Sequence, residues 1–312
     1  MSIVVVAGES LVDLIVDEDL SIVVRPGGAP FNVARGLARL GTHTAFVGGL
    51  STDRFGDLLR AALADDGVDP RCLMQTDLPT MLAFAELRAG VASYHFYTEG
   101  TAAPALRTED VATQCPPRLA ALYVGGLALG LEPIGSTLEF MVGAAPAEAL
   151  VMLDPNIRPT AAPDADLVRG RITRLLQRCD VVKVSTEDLD WLSPGVDPEV
   201  AGRDLLAGGA RCALVTDGAR DTRIVTREAT TNVPVVPVNV IDTVGAGDAY
   251  CAGFLSWWTA AGLGPQDLVD TTQLEAAAAQ AALVAALSCE RTGAMPPTAA
   301  EVAEFAAVRA GA

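Results

Sequence analysis

The chain has 312 residues, half of them hydrophobic, enough to bury one large core or two smaller ones. A formal net charge of −17 at pH 7 argues against nucleic acid or an anionic membrane surface as partner. Apolar runs such as ALYVGGLALGL (121–131) are too short to span a bilayer. The opening MSIVVVAGES has neither a basic segment nor a cleavage site, so a cytoplasmic protein is the expectation.

In chain order, IVVVAG (3–8) reads as a strand, and LVDLIVDEDLSIVV (11–24) follows it with more strand-like residues. PFNVARGLARL (30–40) reads as a helix, with proline at its first position, Gly41 as stop, and Val33, Leu37 and Leu40 on one face. TAFVGG (44–49) is a strand and FGDLLRAALADDG (55–67) a helix. The segment 80–97 alternates on both sides of RAGV and predicts a hairpin. LYVGG (122–126), LVMLD (150–154), VVKVS (181–185), ALVTDG (213–218) and VPVVPV (233–238) read as further strands, with a helix over 166–179 among them. Strands separated by helices imply a mostly parallel sheet covered on both faces. The expectation is a single α/β domain over 1–312, three-layered and doubly wound. Strands from about 11–25 and 80–100 have no following helix and predict a small β-lid. An extra edge hairpin is the other reading.

Several chemistries are excluded by residue type. The cysteines at 72, 115, 179, 212, 251 and 289 form no CxxC pair and read as buried, reduced thiols. His43 and His95 are far apart, which rules out an HExxH zinc motif. Lys183 is the only lysine, and VVKVS is not the GK[ST] of a Walker A loop. The first strand ends AGES with no GxGxxG after it, which disfavours a dinucleotide-dependent oxidoreductase.

Two glycine clusters remain. In DTVGAGDAY (242–250), Gly245, Ala246 and Gly247 open an apolar helix, so backbone N–H groups and the positive helix end converge on an anion site. Asp248 is either the N-cap of that helix or a reagent; the turn alone admits both. In RPGGAPFNVARG (25–36), Gly28 exposes backbone to a ligand and Asn32 both donates and accepts. Asp13 is an acid in an apolar run, suited to sugar hydroxyls or else a solvated edge residue.

GGAPFNVARGLARLG and DTVGAGDAYCAGF resemble the two signatures of the ribokinase-like (phosphofructokinase-B type) sugar kinases, and the form GGAP-x-NVA is most similar to bacterial fructokinases. The resemblance covers nearly the whole chain and implies a ribokinase-like fold with a β-lid. It implies that Asp248 is the catalytic base, that Gly245, Ala246 and Gly247 form the anion hole, and that Asp13, Gly28 and Asn32 contact the sugar. In DPNIRP (154–159), Arg158 would clamp sugar or phosphate, or else form a surface salt bridge. Thr216 and Gly218 match the nucleotide-side turn, where the final family glycine is replaced by Asp221, a carboxylate that disfavours a nearby triphosphate. The family's Asn-x-x-Glu becomes Ser185-Thr186-Glu187-Asp188, so Asp188 either holds Mg²⁺ through water or is an acid at a helix start. Asp242 and SCERTGA (288–294) match a monovalent-cation region, although Val244 stands where some members have threonine. ATP, Mg²⁺ and K⁺ are the implied cofactors, a sugar the implied partner, and a homodimer through the lid the implied assembly.

Substrate remains open at this level. Arg88, Arg107 and Arg158 would suit an acidic or phosphorylated sugar, and Tyr94, Phe96 and Tyr97 either stack on a ring or simply pack. 2-Keto-3-deoxygluconate, ribose, a nucleoside or a sugar phosphate are the alternatives to fructose. A non-catalytic sugar sensor on the same fold is a further reading, disfavoured by the intact GAGD.

Overall fold

A computed structural model of the chain describes residues 3–17, 19–88, 91–112, 118–161 and 164–310, with side chains described except at 86–88, 91–93 and 310. The expected hairpin turn at 89–90, Cys115 and the side chain of Arg88 lie outside that description.

The strands are β1 (Ile3–Ala7), β2 (Leu11–Val16), β3 (Ile22–Gly27), β4 (Thr44–Ser51), β5 (Leu73–Thr76), β6 (Leu82–Arg88), β7 (Val91–Tyr97), β8 (Leu119–Gly125), β9 (Leu150–Asp154), β10 (Val181–Ser185), β11 (Cys212–Asp217), β12 (Arg220–Thr226) and β13 (Thr230–Val233). The helices are α1 (Ala29–Arg39), α2 (Arg54–Asp65), α3 (Thr108–Val111), α4 (Ile134–Ala144), α5 (Ala165–Leu176), α6 (Thr186–Leu192), α7 (Pro198–Ala207), α8 (Ala246–Ala260), α9 (Thr271–Cys289) and α10 (Ala299–Ala310).

Nine strands form one sheet in the order β13-β12-β11-β10-β9-β8-β1-β4-β5. Pairing is parallel from β5 to β11, and β12 and β13 close that edge antiparallel. The alternation of β1 separates two cores. Val4 and Val6 face α1, α2, α8 and α9, with Phe31, Leu59, Phe254 and Ala278 among their neighbours. Ile3, Val5 and Ala7 face α4, α5 and α7, through Leu138, Ile172 and Leu205. A sheet apolar on both faces and covered by helices is the expected three-layer, doubly wound architecture.

Four strands stand apart as a second sheet, ordered β3-β2-β6-β7. The chain enters it from β1 through residues 8–10 and from β5 through 77–81, and leaves it into α1 through Gly28 and into α3 through 98–107. β2 lies inside this sheet, between β3 and β6, so Asp13 is not on an edge strand.

The expected strand at 233–238 is a correction. β13 ends at Val233, and residues 234–241 form no strand. Pro234 and Pro237 remove the N–H groups a ladder needs. That side of the sheet is built instead by RDTRIVT, whose charged residues masked its strand character, with TTNV of β13 at the very edge.

Helix α8, which opens with the glycine turn, is wedged between α1 and α9 by two close approaches. A Cβ on Gly36 of α1 would lie 2.8 Å from Ala252 Cβ, and one on Gly253 would lie 2.8 Å from Ala281 Cα. Gly253→Leu forces α8 away from α9 and is expected to lose about 1–3 kcal/mol of stability, the usual range for overpacking. Urea unfolding reads this; an unchanged midpoint would mean that the contact is slack.

Candidate active site

In an open parallel sheet, ligands settle beyond the carboxyl ends of the strands where the winding reverses. Here β1 is paired with β4 on one side and β8 on the other, and a cavity of about 1140 Å³ lies at those ends. Its wall takes residues from just past β1, β9, β10 and β11, from the first turns of α1 and α8, and from the second sheet.

Asp248 sits at the centre. Gly245, in the left-handed region at φ 78°, is the N-cap of α8, and Asp248 falls within the first helical turn. The capping reading is therefore set aside. The carboxylate is 6 % exposed and accepts 2.8 Å from Asn32 Nδ2, joining the two glycine clusters across 216 residues. It has no ion-pair partner among the described residues. Burial raises its pKa to about 7, with the charge of Asp154 adding to the shift and Asn32, Lys183 and Arg158 opposing it. Asn32 keeps Oδ1 buried with no partner among the described residues, an acceptor turned away from Asp248.

Below the glycine turn lies an ion pair that the sequence reading passed over. Lys183 Nζ stands 3.1 Å from Asp154 Oδ2, with exposures of 6 % and 0 %. Burial works against the ammonium, but the carboxylates of Asp154 and Asp188 outweigh it and hold the lysine protonated. Asp154 Oδ1 accepts the Asn156 N–H, and Cys251 Sγ donates to Oδ2. The signals were present as the sole lysine and the first letter of DPNIRP. The one served only to exclude a Walker A loop, and attention to the other went to Arg158.

Glu9 was also missed. It is 1 % exposed, lines the cavity, and accepts from the Ala128 N–H at 3.0 Å. Burial raises its pKa to about 7 despite backbone donors at Ala128, Leu127 and Ala29. It fastens the residues between the two sheets to the start of α1. Its neighbour across the turn is Gly28, the N-cap of α1 at φ 105°, where a Cβ would lie 2.8 Å from the Glu9 carbonyl oxygen.

The remaining predicted residues divide along the cavity. Asp13, Gly28, Asn32 and Arg158 line it together with Tyr94 and Phe96 of the second sheet. Burial raises the Asp13 pKa to about 6. Arg158 forms no salt bridge among the described residues; its Nη1 donates only to the Ile157 carbonyl, so the surface-ion-pair reading fails. Tyr97 is 60 % exposed and does not line the cavity. Towards the other end stand Thr216 and Gly218, with Val236, Val238, Ala286 and Cys289. Gly218, at φ 53°, makes the β11–β12 turn. Asp221, expected to obstruct a triphosphate, accepts from the Val235 N–H at 3.3 Å and is not on the cavity wall.

Asp188 and Asp242 are both tied to backbone. Asp188 Oδ1 accepts from Ile157 N–H, and Oδ2 accepts from the N–H and hydroxyl of Ser185. It closes a capping box at α6 while still bordering the cavity. Asp242 accepts from Val244 and Gly293 N–H groups, joining the loop before α8 to the loop after α9. Among the described residues no group of three His, Cys, Asp or Glu side chains is arranged to hold a metal ion.

The model of the pfkB family carbohydrate kinases matches residues 1–301. The chain belongs to that family. It is a carbohydrate kinase on the ribokinase-like fold expected from its two signatures. A fructokinase from Rhizobium leguminosarum bv. trifolii is 36 % identical over 253 residues, covering 80 % of this chain and 77 % of the relative. The structure of Xylella fastidiosa fructokinase with bound ATP superposes with a TM-score of 0.90 at 30 % identity, covering 99 % of each chain. An aminoimidazole riboside kinase from Salmonella enterica, solved with its riboside and an ATP analogue, gives a TM-score of 0.85 at 27 % identity, covering 97 % of this chain and 99 % of that one. No helix among the described residues of this kinase is long and apolar enough to cross a membrane.

The raised pKa of Asp248 has a consequence for stability. Between the ordinary aspartate value near about 4 and the folded value of about 7, the folded state holds a proton that the unfolded state has lost. The carboxylate therefore destabilises the fold increasingly as pH rises through that window. Asp248→Asn is expected to melt above wild type at pH 8, with the gap shrinking towards pH 4. Equal melting temperatures across the range would show that the group is not desolvated.

Proposed function

We propose that the chain is an ATP-dependent fructokinase, and that Asp248 is its general base. The observation that carries the reading is a buried carboxylate with no ion-pair partner among the described residues, in the first turn of a helix whose glycine N-terminus lines the same cavity. Fructose rests on the GGAPFN form of the first signature and on the fructokinase relatives.

The sugar binds at the end lined by the second sheet. Asp13 accepts from its hydroxyls, Asn32 Oδ1 receives another, Gly28 admits the ring close to the backbone, and Arg158, in no salt bridge among the described residues, reaches sugar or phosphate. ATP enters from the Thr216 and Gly218 end. As the primary hydroxyl attacks in line, Asp248 takes its proton, and the N–H groups of Gly245 and Gly247 stabilise the transferring phosphoryl, whereas the N–H expected from Ala246 is given to the Thr243 carbonyl at 3.2 Å. Asn32 holds the carboxylate towards the attacking oxygen. Mg²⁺ on the nucleotide phosphates would supply charge neutralisation, with Asp188 and Glu187 on the cavity wall to meet its water shell. Asp242, by joining two loops, shapes the place where K⁺ is expected. The chain acts as one domain, whose second sheet closes on the sugar as a lid and pairs with that of a second copy.

Asp248→Asn should retain both ligands and lose about 10²–10⁴ in turnover, the usual contribution of general-base catalysis. Near-native turnover in that variant would place the base elsewhere. In the free enzyme, kcat/KM should fall below about pH 7 as Asp248 protonates, on a limb set by its raised pKa. Asp13→Ala and Asn32→Ala should raise the KM for sugar well before that for ATP; an equal loss of both would sink their assignment. Coupled ADP release over fructose, ribose, 2-keto-3-deoxygluconate, adenosine and fructose 6-phosphate identifies the substrate, and turnover confined to adenosine would favour a nucleoside kinase.

A further inference from the structure

Lys183 is unusual in number, burial and bonding. It is the only lysine in the chain, its side chain is 6 % exposed, and it borders the cavity. An ammonium carries three donors. Among the described residues only Asp154 accepts from it, at 3.1 Å. The other donors have no acceptor among the described residues, at a depth where an unused donor is costly.

Those donors lie beside Gly247. That residue does not have a positive φ, so its backbone places no demand for glycine. The atoms a Cβ at 247 would meet all belong to Lys183, with Nζ at 2.9 Å and Cε at 3.8 Å. Glycine at this position therefore leaves open the space between the ammonium and the first turn of a 15-residue helix. Two independent features, a helix N-terminus and an under-bonded buried cation, meet at one point.

We propose that Lys183 is a catalytic residue whose ammonium passes through the gap at Gly247 and donates hydrogen bonds to the phosphoryl group in transfer. This rests on the kinase reading above. The bond from the γ-phosphorus to the ADP oxygen breaks as the bond to the sugar oxygen forms. The electron pair of the broken bond leaves with ADP, and the hydroxyl proton passes to Asp248. Lys183 keeps its proton throughout and contributes charge alone. Asp154 holds the cation in place, and its second oxygen, tied to Asn156, stops it from swinging free.

Lys183→Met should lower kcat by about 10²–10³, the usual loss for one donor to a developing oxyanion, with the KM for sugar changed less than about threefold. Because that variant leaves Asp154 buried without its partner, the double variant Lys183→Met, Asp154→Asn is measured beside it and should show the same loss. A double variant that folds and turns over at the wild-type rate would overturn the proposal and reduce Lys183 to a counter-ion. Wild-type enzyme with ¹³C,¹⁵N-lysine gives a single side-chain signal, which decides the matter even if neither variant folds. Adding ADP, Mg²⁺, fructose and fluoroaluminate should shift that signal beyond its position with ADP, Mg²⁺ and fructose alone. An identical signal in both mixtures would exclude contact with the phosphoryl mimic. Failure of wild-type enzyme to phosphorylate any sugar in the panel would instead overturn the kinase reading itself.

Discussion

The candidate site is organised around one buried carboxylate at the cavity wall. Asp248 is buried with no ion-pair partner among the described residues, and its one described hydrogen bond comes from a neutral amide. Such a group favours its protonated form, so the fold carries a standing penalty at neutral pH. Three devices limit that penalty: the positive end of α8, the Asn32 amide, and the Lys183 cation held by Asp154. Each also serves the proposed reaction, because a base must be basic enough to take a proton and still ionised part of the time near pH 7. Burial and catalysis are here one constraint.

The layout of the sheet turns this local arrangement into a site. Because β1 is flanked by β4 and β8, the chain winds away from it in both directions and leaves a crevice at its carboxyl end. The ends of β9 and β10 supply Asp154 and Lys183, and α8 returns over them from far along the chain. Residues 8–10 are one of the links between the two sheets, and Glu9 there is pinned by backbone N–H groups. Cavity floor and cover are thus joined at a segment whose position is set by hydrogen bonds.

Much of this was legible in the sequence, for reasons that differ by residue. Short continuous apolar runs separated by helices located most strands of the main sheet, since both faces are buried. Gly28, Asn32, Gly245 and Asp248 stood out because glycines before helices and polar residues on first turns have few other uses. VPVVPV misled because β-branched residues outweighed the prolines that forbid a ladder. Asp221 misled because its contact, with Val235, depends on a hairpin that the charged run RDTRIVT concealed. Glu9, Asp154 and Lys183 were not found because their importance is relational. A lysine in a strand has no special meaning until a second strand brings a carboxylate to 3.1 Å and a helix brings a glycine above it.

The packing of α8 carries a consequence for how sequences of this kind can diverge. Gly36 faces Ala252, and Gly253 faces Ala281, with no spare room at either contact. The two residues of each pair share one fixed volume, so neither side can grow unless the other shrinks, and glycine has nothing left to give. Substitutions there are confined to joint changes across helices distant in the chain. Drift at positions 36 and 253 should be nearly frozen although neither touches a ligand. The residues least free to vary would then include ones whose only task is to hold Asp248 steady.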